Sequence, residues 1–179
     1  MDPIVEAALK KWPNVPHCYA WLALDARGEW YMRDDRIQAA GPFPRIKGSR
    51  IDHEKLREFI GRNYASDEAG AWFFQNGPQR VYVELEAAPW VWRLSRDGGG
   101  APVLASHTGR PAAAQEAIVD ESGRLFVATD IGLGIVHTLD METAAEAVES
   151  GAWATREARF DALVEAFGYR LSPAASRAA

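Results

Sequence analysis

Cysteine is nearly absent: Cys18 is the only one in 179 residues. No intramolecular disulfide can form, and every zinc pattern that draws on two or more cysteines is excluded. Positive charge is short as well, with 20 Lys and Arg against 25 Asp and Glu and a formal net charge of -5. A general phosphate-binding surface needs basic residues concentrated on one face, so no nucleic-acid partner is expected. No apolar run approaches the roughly 20 residues of a membrane helix. The opening Met1-Asp-Pro-Ile4 carries an acid where a secretory signal is basic, so a cytoplasmic protein without membrane attachment is expected.

Catalytic signatures are also missing. There is no Gly-x-Ser-x-Gly elbow, and Lys47-Gly48-Ser49 has the residue types of a phosphate loop in the wrong order and frame. Gly132-Leu133-Gly134 would need a third glycine where His137 stands, and Ile135-Val136 follows where a helix should open. Asp52-His53-Glu54 lacks a second cluster to complete a coordination shell. No cofactor and no metal site are expected.

Apolar and aromatic residues, by contrast, are plentiful. Hydrophobic residues make up 47% of the chain, with seven Trp, seven Phe and five Tyr, enough for one domain or two subdomains sharing a core. Asp2 and Pro3 mark a helix start, with Ile4, Val5, Ala8, Leu9 and Trp12 on one face. Asp25-Ala-Arg-Gly28 joins two strand-like runs as a hairpin turn, and Asp120-Glu-Ser-Gly123 repeats the same grammar later. Residues 34–50, with Gly41, Pro42, Pro44 and Gly48, read as a surface connection, after which Asp52 caps a helix over 53–64.

Strands then dominate, at 71–75, 80–86, 90–95, 102–106, 116–120, 124–129 and 135–139, before helices at 142–150 and 155–167. Runs of strands without strict strand–helix alternation indicate an α+β fold. Its sheet should be mainly antiparallel, a roll or partly open barrel with two to four packing helices. The division expected is an N-terminal α+β subdomain at 1–70, a β-rich subdomain with its C-terminal helix at 71–170, and a disordered tail at 171–179.

Few residues suggest chemistry. Glu84 and Glu86 lie two apart on a strand, on one face and about 7 Å apart, a spacing that suits a general acid and base; ordinary pairing with Arg80 or Arg93 is the competing reading. His137 shares a strand face with Ile135 and Leu139, as a structural histidine or as part of a proton-transfer set with Asp130 and Asp140. Trp90 and Trp92, with Tyr82 on a neighbouring strand, form either a core face or a platform on which a flat ligand stacks. Asp130 is a further ligand candidate in the turn around Gly132 and Gly134, where it can also bond its own backbone.

Four segments together resemble a bacterial family catalogued as domain of unknown function 1285. They are the hairpin Leu24-Asp-Ala-Arg-Gly-Glu-Trp-Tyr31, the helix Leu56-Arg-Glu-Phe59, the run from Trp72 through Gln75-Asn-Gly-Pro-Gln-Arg80 to Trp90, and the late Phe126-Val-Ala-Thr-Asp130. The resemblance implies a small α+β part followed by a β-roll part, and it transfers no catalytic residue because that family has no assigned activity. The function expected is a non-catalytic domain that binds a small molecule or a protein partner. The alternatives are a hydrolase-like enzyme using Glu84, Glu86 and His137, and a module for self-association as a homodimer.

Overall fold

A computed structural model describes residues 1–178. The chain divides into two compact units, one made of Met1–Asp25, Glu29–Glu86 and the residues from Tyr169 onward, the other of Ala26–Gly28 and Ala87–Gly168. The boundary expected at 70/71 falls inside the first unit, because Tyr64–Ser66 and Trp72–Asn76 pair across it. Among the described residues no helix is long and apolar enough to cross a membrane.

The first unit holds α1 (Pro3–Lys11), β1 (Cys18–Leu24), β2 (Trp30–Met32), α2 (Asp35–Ala40), β3 (Ser49–Arg50), α3 (Glu54–Arg62), β4 (Tyr64–Ser66), β5 (Trp72–Asn76) and β6 (Gln79–Leu85). Its sheet has the order β3-β2-β1-β6-β5-β4, antiparallel except where β1 runs parallel to β6. On α1 only Val5 is buried, while Ile4 and Trp12 are exposed, so the expected apolar face is narrower than its spacing suggests. The cap of α3 is His53, whose Nδ1 accepts from the Leu56 amide at 3.3 Å. Asp52, the expected cap, instead pairs with Arg50 at 2.7 Å.

The second unit holds β7 (Trp90–Arg96), β8 (Pro102–Ser106), β9 (Pro111–Ala112), β10 (Ala114–Val119), β11 (Leu125–Thr129), β12 (Gly132–Val136), a 3-10 turn (Thr138–Asp140), α4 (Met141–Glu149), β13 (Thr155–Glu157) and α5 (Phe160–Ala166). Its sheet runs β13-β10-β11-β12-β7-β8-β9, with β10–β13 and β12–β7 parallel. The fold is α+β as expected, with mixed sheets. The helix expected at 155–167 is split, because residues 155–157 pair with β10 before α5 begins. With α6 (Pro173–Ala178) the described residues form six α-helices, more than the two to four expected. α6 stands where a disordered tail is expected at 171–179; Ala179 lies outside the described residues.

The tryptophans of β7 are core. Trp90 and Trp92 are 1% and 0% exposed, and their indole N–H groups donate to Ile131 O and Val127 O at 2.9 Å each. The Trp92 ring lies over Gly134, where a Cβ would meet it at 2.5 Å and the Trp90 Cβ at 2.8 Å, while the Trp90 ring lies over Gly132. Gly134 therefore belongs to a strand that lets aromatic rings cross it, and the reversal is made one step earlier, at Asp130-Ile131.

One turn recurs through both units. Asp25, Asp67, Asp97 and Asp120 each use Oδ1 to accept the amide four residues on, at 2.8–3.0 Å. The Ser106 hydroxyl does the same for Arg110 at 3.2 Å. The fourth residue of each turn is a glycine in the left-handed region, Gly123 at φ 75° for example, where a side chain is strained.

Gly134→Ala is expected to lower unfolding free energy by about 1–3 kcal/mol through overpacking against the Trp92 indole and the Trp90 Cβ, measured by urea denaturation. Asp120 is buried, bonds three backbone and side-chain donors of residues 122 and 124, and pairs with Arg124 at 2.6 Å. Asp120→Ala should therefore cost about 2–4 kcal/mol, against about 1 kcal/mol for Asp97→Ala in an exposed turn of the same shape. Equal losses in the two variants would disprove the ranking.

Candidate functional site

The face of β6 that carries Tyr82 and Glu84, continued past the strand's end by Glu86, is where strand alternation predicts either a wet surface or a cleft. It is divided among three settings. Glu84 is buried beneath the C-terminal segment: its Oε1 accepts the Ala174 amide at 3.3 Å, and the Ser172 hydroxyl is a second partner. Burial pushes its carboxyl up, against the opposing pull of Ser172, Ala174 and Arg33. Glu86 instead meets Lys47 Nζ at 3.2 Å. The two carboxylates thus answer to different partners and do not form the acid–base pair their spacing suggests.

Lys47 joins Glu86 to the hairpin turn. Its Nζ lies 2.8 Å from Asp25 Oδ2, the same oxygen that accepts the Tyr31 hydroxyl at 3.1 Å. Burial would lower the Lys47 ammonium, but the bonds to Asp25 and Glu86 outweigh it and raise it, so Lys47 stays a charged tie and no nucleophile. The sequence gives no hint of this cluster, whose members are 22 and 39 residues apart.

His137 lies in the second unit, just past β12, where its Nδ1 accepts the Leu139 amide at 3.1 Å and caps the 3-10 turn. It is 6% exposed and separate from the β6 carboxylates in the chain's division into units. Asp130 accepts the Ala113 amide at 2.8 Å and ties two strands. Asp140 pairs with Arg93 at 2.6 Å. Trp90 and Trp92, closed over by the sheet, offer no face to a ligand. Cys18 keeps its proton more firmly than an ordinary thiol because of burial. Among the described residues no group of three or more His, Cys, Asp or Glu could hold a metal ion.

Of the residues singled out from the sequence, Tyr82 is the one that reaches an open cleft. The cleft, about 260 Å³, lies in the first unit and is lined by Tyr19, Asp67, Tyr82, Arg170, Ser176 and Arg177 among others. Tyr19 stacks on Tyr82 with centroids 4.5 Å apart and planes 9° apart. A bulge aims it there: between Cys18↔Val81 and Leu22↔Val83 the two strands fall out of register, and Ala20 takes φ 63°. A non-glycine residue in that region costs about 1–2 kcal/mol, so packing around β1 must hold it.

Asp67 fixes the floor of the cleft. Its Oδ1 serves the turn, accepting Ala69 and Ala71 amides at 3.0 and 2.9 Å, while Oδ2 accepts the Tyr82 hydroxyl at 2.9 Å. Burial and the Asp67 carboxylate push the Tyr82 phenol up, although Arg80 pulls the other way, so it remains a neutral donor. The opposite wall is the C-terminal segment, held by Arg170 N to Gly70 O and Arg170 Nε to Ala69 O, both at 3.0 Å. A larger depression of about 440 Å³ in the second unit is rimmed by Glu121, Glu157 and Arg159, all exposed, with Glu121 already accepting the Phe160 amide. It has no aromatic wall, and the smaller cleft is the better-built site.

Because the Glu84 carboxyl is raised on folding, the folded state binds its proton more tightly. The stability this proton supplies is full below the unfolded pKa and lost as pH rises through the folded one. Glu84→Gln keeps an acceptor for Ala174 and removes the buried charge. Its melting temperature should exceed wild type at pH 8, and the gap should close toward pH 4. A variant less stable than wild type at pH 8 would show that the ionised carboxylate is favoured there.

A crystal structure of a DUF1285 family protein from Silicibacter pomeroyi DSS-3 has the same fold, with a TM-score of 0.50 and 13% identity over 82% of this chain and 84% of that one. Another DUF1285 family protein, from Shewanella baltica OS155, is similar at a TM-score of 0.49 and 11% identity, over 70% and 91% of the two chains. The first likeness bears out the fold resemblance legible in the sequence. No curated protein matches the chain. The model of the family DUF2944, described as "Protein of unknown function (DUF2946)", matches residues 1–175, and the chain belongs to that family.

Proposed function

We propose that the first unit is a non-catalytic small-ligand-binding domain of a cytoplasmic bacterial protein, and that the ligand enters the cleft beside Tyr19 and Tyr82. The observation that carries this reading is the cleft itself. A bulged strand brings a half-exposed tyrosine ring onto a buried one, and the chain's own C-terminal segment closes the opposite wall. Concave sites of this kind, apolar with a few convergent polar groups, are the usual form of small-molecule pockets, and about 260 Å³, just below their usual range, suits a ligand smaller than a drug-sized molecule. The absence of disulfide chemistry at the lone Cys18 fits a reducing compartment. Binding without turnover is supported by the separate partners of Glu84 and Glu86.

The test is a fragment screen on the full chain by amide NMR. Fragments should perturb signals of residues 67–71 and 170–177 together with Tyr19 and Tyr82. In Tyr19→Ala the same fragments should bind about fivefold more weakly, since an aromatic pair contributes about 1 kcal/mol. Perturbations confined to other surfaces, or unchanged affinity in that variant, would refute the cleft as the site.

A further inference from the structure

Resting on the reading of that cleft as a ligand site, we infer that its ligand is a small oxyanion carried on a single flat ring, an aryl carboxylate or aryl phosphate. The argument begins with charge. The chain is acidic overall, and most of its arginines outside this region are spent: Arg62, Arg93, Arg124 and Arg156, for instance, each face a carboxylate. Around the tyrosine stack the pattern reverses. Arg80, Arg170 and Arg177 have no ion pair with a carboxylate among the described residues.

Their placement is specific. The Arg177 guanidinium sits 4.9 Å from the Tyr19 ring centroid, and Arg80 sits 4.4 Å from that of Phe73, which meets Tyr82 edge-on at 5.7 Å. Arg170 spends its Nε on Ala69 O, which leaves its two terminal nitrogens as a fork. The one carboxylate in the cleft wall, Asp67, is fully committed to two backbone amides and the Tyr82 hydroxyl. Arg170 and Arg177 line the cleft and Arg80 bonds the Tyr82 hydroxyl beside it, so three cations stand against the single carboxylate of Asp67, which is turned to neutral donors and pairs with none of them. An oxyanion would accept the bidentate bonds that guanidinium groups make best, and its ring would meet the edge of Tyr19, whose faces are taken by Tyr82 and Arg177. The volume, about 260 Å³, admits one ring and its acid group and excludes a polymer.

The experiment titrates the full chain with benzoate, phenyl phosphate, neutral benzamide and inorganic phosphate, following cleft amides by NMR. Benzoate or phenyl phosphate, or both, should bind at least about tenfold more tightly than benzamide and than inorganic phosphate, and the stronger of the two identifies the acid group. Arg177→Gln, on an exposed helix face, should lose about tenfold in affinity for the aryl anion and no more than about twofold for benzamide; Arg80→Gln, outside the cleft lining, should lose less for the aryl anion than Arg177→Gln does. If benzamide binds as well as benzoate, the ligand-site reading stands and the oxyanion inference falls. Inorganic phosphate binding as tightly as the aryl anions overturns the ring. If fragments from the neutral screen bind in the cleft but none of these four does, the oxyanion inference falls alone; if nothing perturbs the cleft, both fall.

Discussion

The interaction on which both units depend is a hydrogen bond from a backbone amide to a side-chain oxygen four residues earlier. A hairpin reversal leaves amides that have no strand partner, and an unpaired buried amide costs about 1–3 kcal/mol. An aspartate at the first position supplies the missing acceptor without lengthening the loop. Asp25, Asp67, Asp97 and Asp120, with Ser106 as the hydroxyl version, all do this. A carboxylate has two oxygens, and the turn uses one. The second is then free to organise something else: Oδ2 of Asp25 takes Lys47 and Tyr31, that of Asp120 takes Arg124, and that of Asp67 takes Tyr82. The cleft therefore inherits its geometry from a turn.

That economy explains why so much of the fold was legible and why the site was not. The hairpins at Asp25 and Asp120 follow from a local pattern of five residues, and β8 follows from apolar character between turn residues. Even the core role of Trp90 and Trp92 is the ordinary reading of aromatic residues on a strand. The errors share a cause. His53 caps α3 in place of Asp52, residues 155–157 join β10 instead of a helix, and α6 stands where a small, polar tail suggests disorder. In the last two cases a partner distant in sequence outweighs local propensity, whereas at α3 the competitor is local, Arg50 holding Asp52 at 2.7 Å.

The C-terminal segment is the clearest instance. Nothing in Ser172-Pro-Ala-Ala-Ser-Arg177 has the periodicity of a packed helix. Its position is fixed from outside, by Leu171 O accepting the Leu85 amide, by Arg170 bonding Gly70 and Ala69, and by Glu84 receiving Ala174. These are bonds between residues about a hundred apart, invisible to any window along the chain. They also cover part of the alternating strand β6, so Glu84 becomes a buried, raised carboxyl, while Glu86 is ion-paired separately by Lys47.

The same covering makes the two walls of the cleft unlike. One wall belongs to the sheet, fixed by strand pairing and by the strained Ala20. The other belongs to a short helix whose hold on the body rests on a few backbone and side-chain bonds. The ligand proposed above, bridging Tyr19 and the arginines of that segment, would tie the helical wall to the sheet, adding its binding energy to the hold of α6. Under that proposal occupancy and the docking of the C-terminal segment would be one equilibrium, since the segment that forms the second wall also supplies Arg170 and Arg177 to it.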